Sequence, residues 1–154
     1  TCLIEGTNLS EGRGSDKPFI YIGAPWLDSN KLLIELEKLK LEGVDFYKQN
    51  FTPRPILGKS VSPKFEYQNC NGIGINIIDR SASPLLITVH IINTINEIHP
   101  DIFAFNSNNF IDKLYGSDIL RKTIIENQDL NILFDKWDED RIQFRKIRKP
   151  FLLY

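Results

Sequence analysis

The residues best suited to chemistry lie in one short segment, EGTNLSEGRGS, at positions 5–15. It holds two carboxylates, a guanidinium, three hydroxyls, a carboxamide and three glycines. Arg13 presents a planar fork of donors that matches a carboxylate or a phosphate, while Thr7 and Asn8 can bind sugar hydroxyls or an amide. Glycines let a backbone approach a ligand closely. The segment therefore indicates a ligand-binding loop; the alternative is a polar loop whose side chains satisfy their own backbone.

Glu5 and Glu11 are candidates for glycosidase chemistry. In that chemistry one carboxyl group acts as an acid and a second acts as a base or a nucleophile. The assignment depends on their separation, which a sequence does not give. Glu5 lies next to an apolar stretch and is the candidate catalytic residue, whereas Glu11 is also explained as a solvated side chain that could contact a substrate.

Asp79 is a further candidate because it follows the most apolar segment of the chain, residues 72–78. Ligands gather at the carboxyl ends of strands in open α/β sheets, so Asp79 could contact Arg13 or a sugar hydroxyl. A helix cap or an internal ion pair explains it equally well. The sequence has no dinucleotide fingerprint, P-loop, nucleophile elbow or histidine pair at metal-ligand spacing. No cofactor and no metal ion is predicted.

The hydrophobic pattern predicts the elements that must position these residues. A period of two favours strands and a period of 3.6 favours helices. The expected strands are 2–4, 19–22, 44–47 and 72–78, with the last one central. The expected helices are 28–43, 84–98, 110–114, a next one capped by Ser117 or Asp118, and a long last one that ends at Pro150. The apolar face of the last helix carries Leu130, Leu133, Trp137 and Phe144. The fold class is therefore α/β (α+β), a single domain with a mixed β-sheet packed by helices and a largely helical C-terminal part.

Length and composition limit the possible functions. The chain has 154 residues, is 42% hydrophobic and carries a formal net charge of -1, which fits one domain and no nucleic-acid partner. No apolar run reaches the roughly 20 residues of a transmembrane segment. The absence of methionine indicates a piece of a longer protein. Cys2 and Cys70 are expected to be two buried thiols, with a disulfide as the alternative.

Several motifs in the chain match those of one family. The opening CLIEGTNLSEGRG resembles the start of the C-terminal domain of NamZ-type exo-β-N-acetylmuramidases, formerly called DUF1343, a domain of unknown function. Further matches follow in the same order at 18–19, 22–26, 51–53, 70–73, 79–80, 99–103, 114–116, 137 and 144–154. The resemblance spans nearly the whole chain. The sequence departs from the family pattern between Pro55 and Tyr67.

The resemblance implies a bacterial glycoside hydrolase that releases N-acetylmuramic acid from the non-reducing ends of peptidoglycan fragments during cell-wall turnover. It also implies a Rossmann-like N-terminal domain as partner and a periplasmic or secreted location. Because the family's catalytic glutamate is assigned to that N-terminal domain, we expect this auxiliary domain to be inactive alone. It would form a wall of the substrate cleft. The matched motif would place these residues on the wall: Glu5, Thr7, Asn8, Ser10 and Arg13.

Arg13 could pair with the lactyl carboxylate that distinguishes muramic acid from glucosamine; this expectation comes from chemistry rather than from the resemblance. Two other functions remain open. One is a non-catalytic module for interdomain packing or dimerisation, which predicts an apolar surface patch. The other is an independent small sugar-binding hydrolase that uses Glu5, Glu11 and Arg13 within one enclosed pocket.

Overall fold

The computed structural model describes residues 2–153, which form three strands, five α-helices and two short 3-10 helices. The strands are β1 (Tyr21–Ala24), β2 (Val44–Lys48) and β3 (Asn71–Ile77). The α-helices are α1 (Ser29–Lys38), α2 (Pro84–Ile98), α3 (Phe110–Tyr115), α4 (Ile119–Ile125) and α5 (Asn131–Arg148). The 3-10 helices are Cys2–Gly6 and Lys149–Phe151. The predicted fold class, a single domain of sheet and helices with a helical C-terminal part, is confirmed.

The sheet has the order β1-β3-β2, so β3 is central, as its apolar sequence predicts. Both neighbours run antiparallel to it, with Ile22 opposite Ile73 and Phe46 opposite Ile75. The expectation of a mixed sheet is therefore wrong. Tyr47 of β2 pairs with Gly74 of β3, and the Tyr47 ring fills the space that a Cβ atom on Gly74 would occupy.

The core forms around α2, which is apolar on nearly all sides and is buried accordingly. Its fully buried side chains include Ile91, Ile92 and Ile95. They join buried residues of the sheet, of α1, of α4 and of the first 3-10 helix in one cluster. Each such side chain contributes about 1.5–3 kcal/mol on burial, so the chain has a hydrophobic core of its own. No helix in the described part is both long and apolar enough to cross a membrane.

Two elements differ from the sequence expectation in type or length, and β1 begins and ends two residues later than predicted. Residues 2–4 belong to the 3-10 helix rather than to a strand, because this segment packs against α3: a Cβ atom on Gly6 would lie 2.7 Å from the Ile111 Cα. The first helix begins as predicted, with Asp28 Oδ1 accepting hydrogen bonds from the Asn30 and Lys31 amides. It ends at Lys38 and not at Gly43, which instead turns the chain into β2 at φ 69°.

The last helix packs against the domain only through its first half. Leu133 is buried and Trp137 is half-buried, with its indole Nε1 donating to the Tyr115 hydroxyl at 2.6 Å. Residues 138–153 are all exposed, and Phe144 is 61% exposed, so the apolar face predicted for this helix is covered by the protein only in its first half. The second half of α5 therefore exposes apolar side chains to solvent.

Candidate functional site

The motif segment at 5–15 runs along the edge of the sheet between two other parts of the chain. Ser10 pairs with Gly23 of β1, with its amide donating to the Gly23 carbonyl oxygen at 2.8 Å. Thr7 pairs with Phe105 in the loop after α2. Residues 7–10 of the segment are thus bridged to β1 at one point and to the loop after α2 at another.

Three of the predicted binding side chains are hydrogen-bonded inside the protein. The buried Thr7 hydroxyl donates to the Ile4 carbonyl oxygen at 2.8 Å, and the buried Ser10 hydroxyl accepts from the Gly12 amide at 3.2 Å. The Asn8 carboxamide donates to the Ile102 carbonyl oxygen and accepts from the Ala104 amide. These bonds fit the alternative in which the loop satisfies its own backbone.

Arg13 remains accessible, and its guanidinium is held on three sides. Nη2 lies 3.1 Å from Oε1 of Glu5 and Nε lies 3.4 Å from Oε1 of Glu11. Cζ stands 4.9 Å from the centre of the Phe19 ring, a cation–π contact. The Arg13 side chain is 41% exposed, and no partner of Nη1 is found among residues 2–153. The structure therefore brings Glu5, Glu11 and Arg13 together as one group.

Glu11 is buried at 5% side-chain exposure, so the expectation that it is solvated is wrong. Its Oε2 has no hydrogen-bond partner among the described residues and lies 3.4 Å from the Lys64 Nζ. A carboxylate is tolerated in the interior only beside opposite charge, and Arg13 and Lys64 supply it from two directions. Glu11 is therefore enclosed by protein groups, and its contact with a substrate stays a prediction.

Lys64 is the residue of this cluster that the sequence did not reveal. Its ammonium group donates to the carbonyl oxygens of Thr7 at 2.8 Å, Leu9 at 3.0 Å and Glu5 at 3.2 Å. Burial lowers the pKa of Lys64, while the nearby Glu11 opposes that shift. Lys64 lies in the irregular loop that departs from the family pattern. The only sequence signal for it is that a lysine follows a proline, Pro63, in this loop.

Asp79 lies apart from this cluster. It sits in an exposed turn between β3 and α2, where its Oδ1 accepts from the Ser81 amide at 2.7 Å and the Ser81 hydroxyl at 2.6 Å. These bonds lower the pKa of Asp79. The prediction for Asp79 relied on the carboxyl ends of parallel strands meeting at one edge of the sheet. Because the strands are antiparallel, this reason does not apply. The structure does not bring Asp79 to Arg13.

The histidines and cysteines have structural surroundings. His99 ends α2 and its Nε2 accepts from the Asp28 amide at 3.0 Å, whereas His90 packs on Phe134. Both thiols are free; Cys70 is buried as predicted, but Cys2 is exposed. Burial raises the pKa of Cys70 to about 11. In the part of the chain that the structure describes, no group of three or more histidine, cysteine or acidic residues could hold a metal ion.

Two cavities open elsewhere on the surface. One of about 600 Å³ lies where α5 passes the beginning of α2, and its wall includes Leu85, Ile119 and Trp137. The other, of about 650 Å³, lies between the C-terminal end of α2, the loop that follows it and α4. Neither is lined by Glu5, Glu11 or Arg13. Within the charged cluster, Arg13 faces solvent with 41% of its side chain exposed, whereas Glu11 is buried.

Comparison with known proteins gives a consistent result. The family described as "Exo-beta-N-acetylmuramidase NamZ, C-terminal" matches residues 1–154. The peptidoglycan beta-N-acetylmuramidase NamZ of Bacillus subtilis (strain 168) is 36% identical over 155 residues, which cover 100% of this chain and 36% of that protein. The chain thus spans little more than a third of this relative.

Two solved structures of DUF1343 family proteins, both from Bacteroides fragilis NCTC 9343, share the fold. One aligns with a TM-score of 0.84 at 24% identity and covers 99% of this chain and 40% of its own. The other aligns with a TM-score of 0.64 at 28% identity and covers 99% of this chain and 38% of its own. The same arrangement of sheet and helices therefore occurs inside longer chains.

Proposed function

This chain belongs to the family of NamZ exo-β-N-acetylmuramidase C-terminal domains, and from that premise we propose that it forms a wall of the sugar-binding cleft of a peptidoglycan N-acetylmuramidase. The residues that would meet the sugar are Arg13 and Glu5. Arg13 would bind the lactyl carboxylate of N-acetylmuramic acid, and the accessible Glu5 oxygen would accept a hydrogen bond from a hydroxyl group.

The observation that supports this proposal is the way Arg13 is held. Its Nε and Nη2 are engaged by Glu11 and Glu5, and its plane rests on Phe19, while Nη1 has no partner among the described residues. A fixed guanidinium loses little conformational freedom when it binds a ligand. Its remaining donors suit the planar oxygens of a carboxylate.

The charges around Arg13 also shape the expected binding. Arg13 and Lys64 are balanced by Glu5 and Glu11, so the cluster is formally neutral. Recognition would then depend on short hydrogen bonds rather than on a long-range field. We expect affinity for N-acetylmuramic acid to change little with salt, because screening acts mainly on exposed, unpaired charges.

Catalysis would need more than this chain. Glycoside hydrolysis uses two carboxyl groups on either side of the scissile bond, but Glu11 is buried and leaves only Glu5 accessible in the cluster. A second carboxylate would come from the remainder of the longer protein, with the Rossmann-like domain as the proposed source. The periplasmic or secreted location stays a prediction, consistent with a peptidoglycan substrate.

The test is a titration of the chain, followed by nuclear magnetic resonance, with N-acetylmuramic acid and separately with N-acetylglucosamine. N-acetylmuramic acid is expected to shift the backbone amides of 12–14 and Phe19, and N-acetylglucosamine is not. Arg13→Ala should abolish those shifts. Arg13→Lys should weaken them, because an ammonium group lacks the fork and stacks less well on Phe19.

Arg80→Ala is the matched control, since it removes an exposed arginine next to Asp79, away from the cluster. It should bind like the unchanged chain. The proposal fails if N-acetylmuramic acid shifts no amide of the cluster, or if those shifts survive in Arg13→Ala. Cleavage of a muramyl substrate by this chain alone would instead support the independent hydrolase.

A second function, as a packing or dimerisation module, is favoured by the free half of α5. Phe144 and Ile147 are 61% and 64% exposed, and Phe151 continues the apolar row at 79%. Exposed apolar side chains in such a run mark contact surfaces. The internal hydrogen bonds of Thr7, Asn8 and Ser10 also agree with this function.

Sedimentation velocity tests the dimerisation form of this function. A concentration-dependent dimer that Phe144→Ser abolishes would support it, and a monomer at every concentration would refute it. Hydrogen exchange tests the packing form: amides of residues 138–148 should exchange more slowly in the longer protein than in this chain. Equal exchange rates would mean that the helix face stays in solvent.

A further inference from the structure

The cavity of about 650 Å³ between α2 and α4 has a lining suited to a small polar ligand. We propose that it binds an uncharged N-acetylated hexosamine, at a position separate from Arg13. The choice of a saccharide rests on the proposed function, because a peptidoglycan strand offers such a sugar beside each muramic acid. The choice of an uncharged, amide-bearing ligand rests on the cavity itself.

The cavity has the size and the apolar base of a small-molecule site. Its volume falls within the roughly 300–1,000 Å³ typical of ligand pockets. Phe103 and Phe105 form part of its wall, with ring centres 5.3 Å apart in an edge-to-face arrangement. Phe103 is 8% exposed and lies behind Phe105. The partly buried Phe105 ring presents the apolar surface against which the C–H face of a pyranose ring can lie.

The polar part of the lining consists mainly of carboxamides, which come from Asn96, Asn106, Asn109 and Asn127. Each carboxamide offers both donors and an acceptor, the combination that an acetamido group and neighbouring hydroxyls require. Asn96 is only weakly engaged by the protein: its Nδ2 lies 3.4 Å from the Ile124 carbonyl oxygen and 3.5 Å from the Asn127 Oδ1. Its hydrogen-bonding capacity is available to a ligand.

The one cation of the cavity wall, Arg121, is already neutralised. Its Nε and Nη2 donate to both oxygens of Asp112, at 2.9 Å and 2.7 Å. Glu97, which also lines the cavity, adds negative charge. A carboxylate ligand would therefore gain little here, in contrast to the accessible Arg13. The two places would discriminate between an uncharged and an acidic amino sugar.

The motif segment fixes the loop that forms the cavity wall. The Asn8 carboxamide bonds to the backbone at Ile102 and Ala104, and the Asn106 amide donates to the Gly6 carbonyl oxygen at 2.9 Å. The Asn106 side chain donates to the Glu5 carbonyl oxygen at 2.9 Å. The cavity wall and the Glu5 backbone are thus directly joined by hydrogen bonds.

The experiment is a titration of the isotope-labelled chain with three sugars: N-acetylglucosamine, glucose and N-acetylmuramic acid. N-acetylglucosamine should shift amides within 103–109 and 121–127, with a dissociation constant of roughly millimolar order. Glucose is uncharged and has a hydroxyl group in place of the acetamido group. It should bind about ten-fold more weakly or not at all, because one hydrogen-bonded amide is lost.

Ser107→Trp tests the location. Ser107 is exposed on the cavity wall, so an indole there fills the cavity without entering the core. It should weaken N-acetylglucosamine binding about ten-fold or more, as should Asn96→Ala to a smaller extent. Ser117→Trp, at the wall of the other cavity, is the matched control and should bind normally. Unchanged circular dichroism in all three variants excludes misfolding.

Three results would overturn the inference: no shift of the cavity amides well above millimolar sugar, equal binding of glucose, or full binding by Ser107→Trp. These failures differ from failure of the proposed function. If N-acetylmuramic acid still shifts the amides at 12–14 while N-acetylglucosamine shifts no cavity amide, only the cavity site is wrong. If the cavity responds and 12–14 do not, the Arg13 proposal is wrong instead.

Discussion

Replacing Lys64 with methionine tests whether its ammonium group holds the motif loop in place. Methionine keeps the length and apolar stem of lysine but removes the three donors and the charge. The Thr7 and Leu9 carbonyl oxygens, now bonded at 2.8 Å and 3.0 Å, would lose their partner. Glu11, at 5% exposure, would keep only the Arg13 Nε at 3.4 Å.

The size of the effect follows from these contacts. A hydrogen bond from a charged donor contributes about 1.5–3 kcal/mol, and a buried charge that loses its partner costs about 3–5 kcal/mol. The Lys64 side chain is 31% exposed, so water can replace part of what is removed. We therefore expect Lys64→Met to lower the free energy of unfolding by about 2–4 kcal/mol.

Urea denaturation measures this loss directly. Lys59→Met, an exposed lysine in the same loop, is the matched control and should change stability by less than about 0.5 kcal/mol. In a double-mutant cycle with Glu11→Gln, the coupling energy should be about 1–2 kcal/mol, because the two groups share one buried contact. A Lys64→Met loss no larger than that of Lys59→Met, or strictly additive effects, would refute the reasoning.

Three further predictions concern the rest of the domain. Burial lowers the pKa of His90 below 6.5, so the unfolded chain binds a proton at a higher pH than the folded chain does. The free energy of unfolding should therefore fall as the pH drops below about 6.5. Urea titrations at a series of pH values should show a smaller fall for His90→Leu. A thiol reagent should label Cys2 rapidly in the folded protein and Cys70 only after denaturation, because Cys70 is buried with a pKa near 11. Gly74→Ala should lower stability by about 1–3 kcal/mol in the same urea assay, since the new methyl group occupies the place of the Tyr47 ring.

The elements that hydrophobic period defines strongly are the ones the sequence predicted well. The continuous apolar run at 72–78 gave a central strand, and the run from Pro84 to Ile98 gave the buried helix. Segments whose conformation depends on a distant neighbour were predicted wrongly. Residues 2–4 look like a strand by composition, but their contact with α3 makes them a 3-10 helix.

The candidate site shows the same limit more sharply. Clustering of polar residues correctly located Glu5, Glu11 and Arg13 in one group, because they are close in sequence. It could not reveal Lys64, which lies more than fifty positions away and arrives through an irregular loop. It also could not separate exposed from buried carboxylates, since Glu5 and Glu11 are alike in type and differ only in their tertiary surroundings.

For the motif loop, internal hydrogen bonding and ligand binding are alternative interpretations of the sequence. The structure gives a physical reason why both can apply to the same loop. The side chains of Thr7, Asn8 and Ser10 form hydrogen bonds within the protein, and these bonds restrict the motion of the loop. Phe19 is held at a positive φ of 63°, an unfavourable conformation for a bulky side chain, and its ring lies against the Arg13 guanidinium. Strain of this kind persists only where the surroundings impose it. Arg13 has a structural reason to be held here, since it neutralises the buried Glu11, but this contact leaves its side chain 41% exposed. The proposal of a ligand therefore rests on this accessible, fixed guanidinium more than on the number of polar residues.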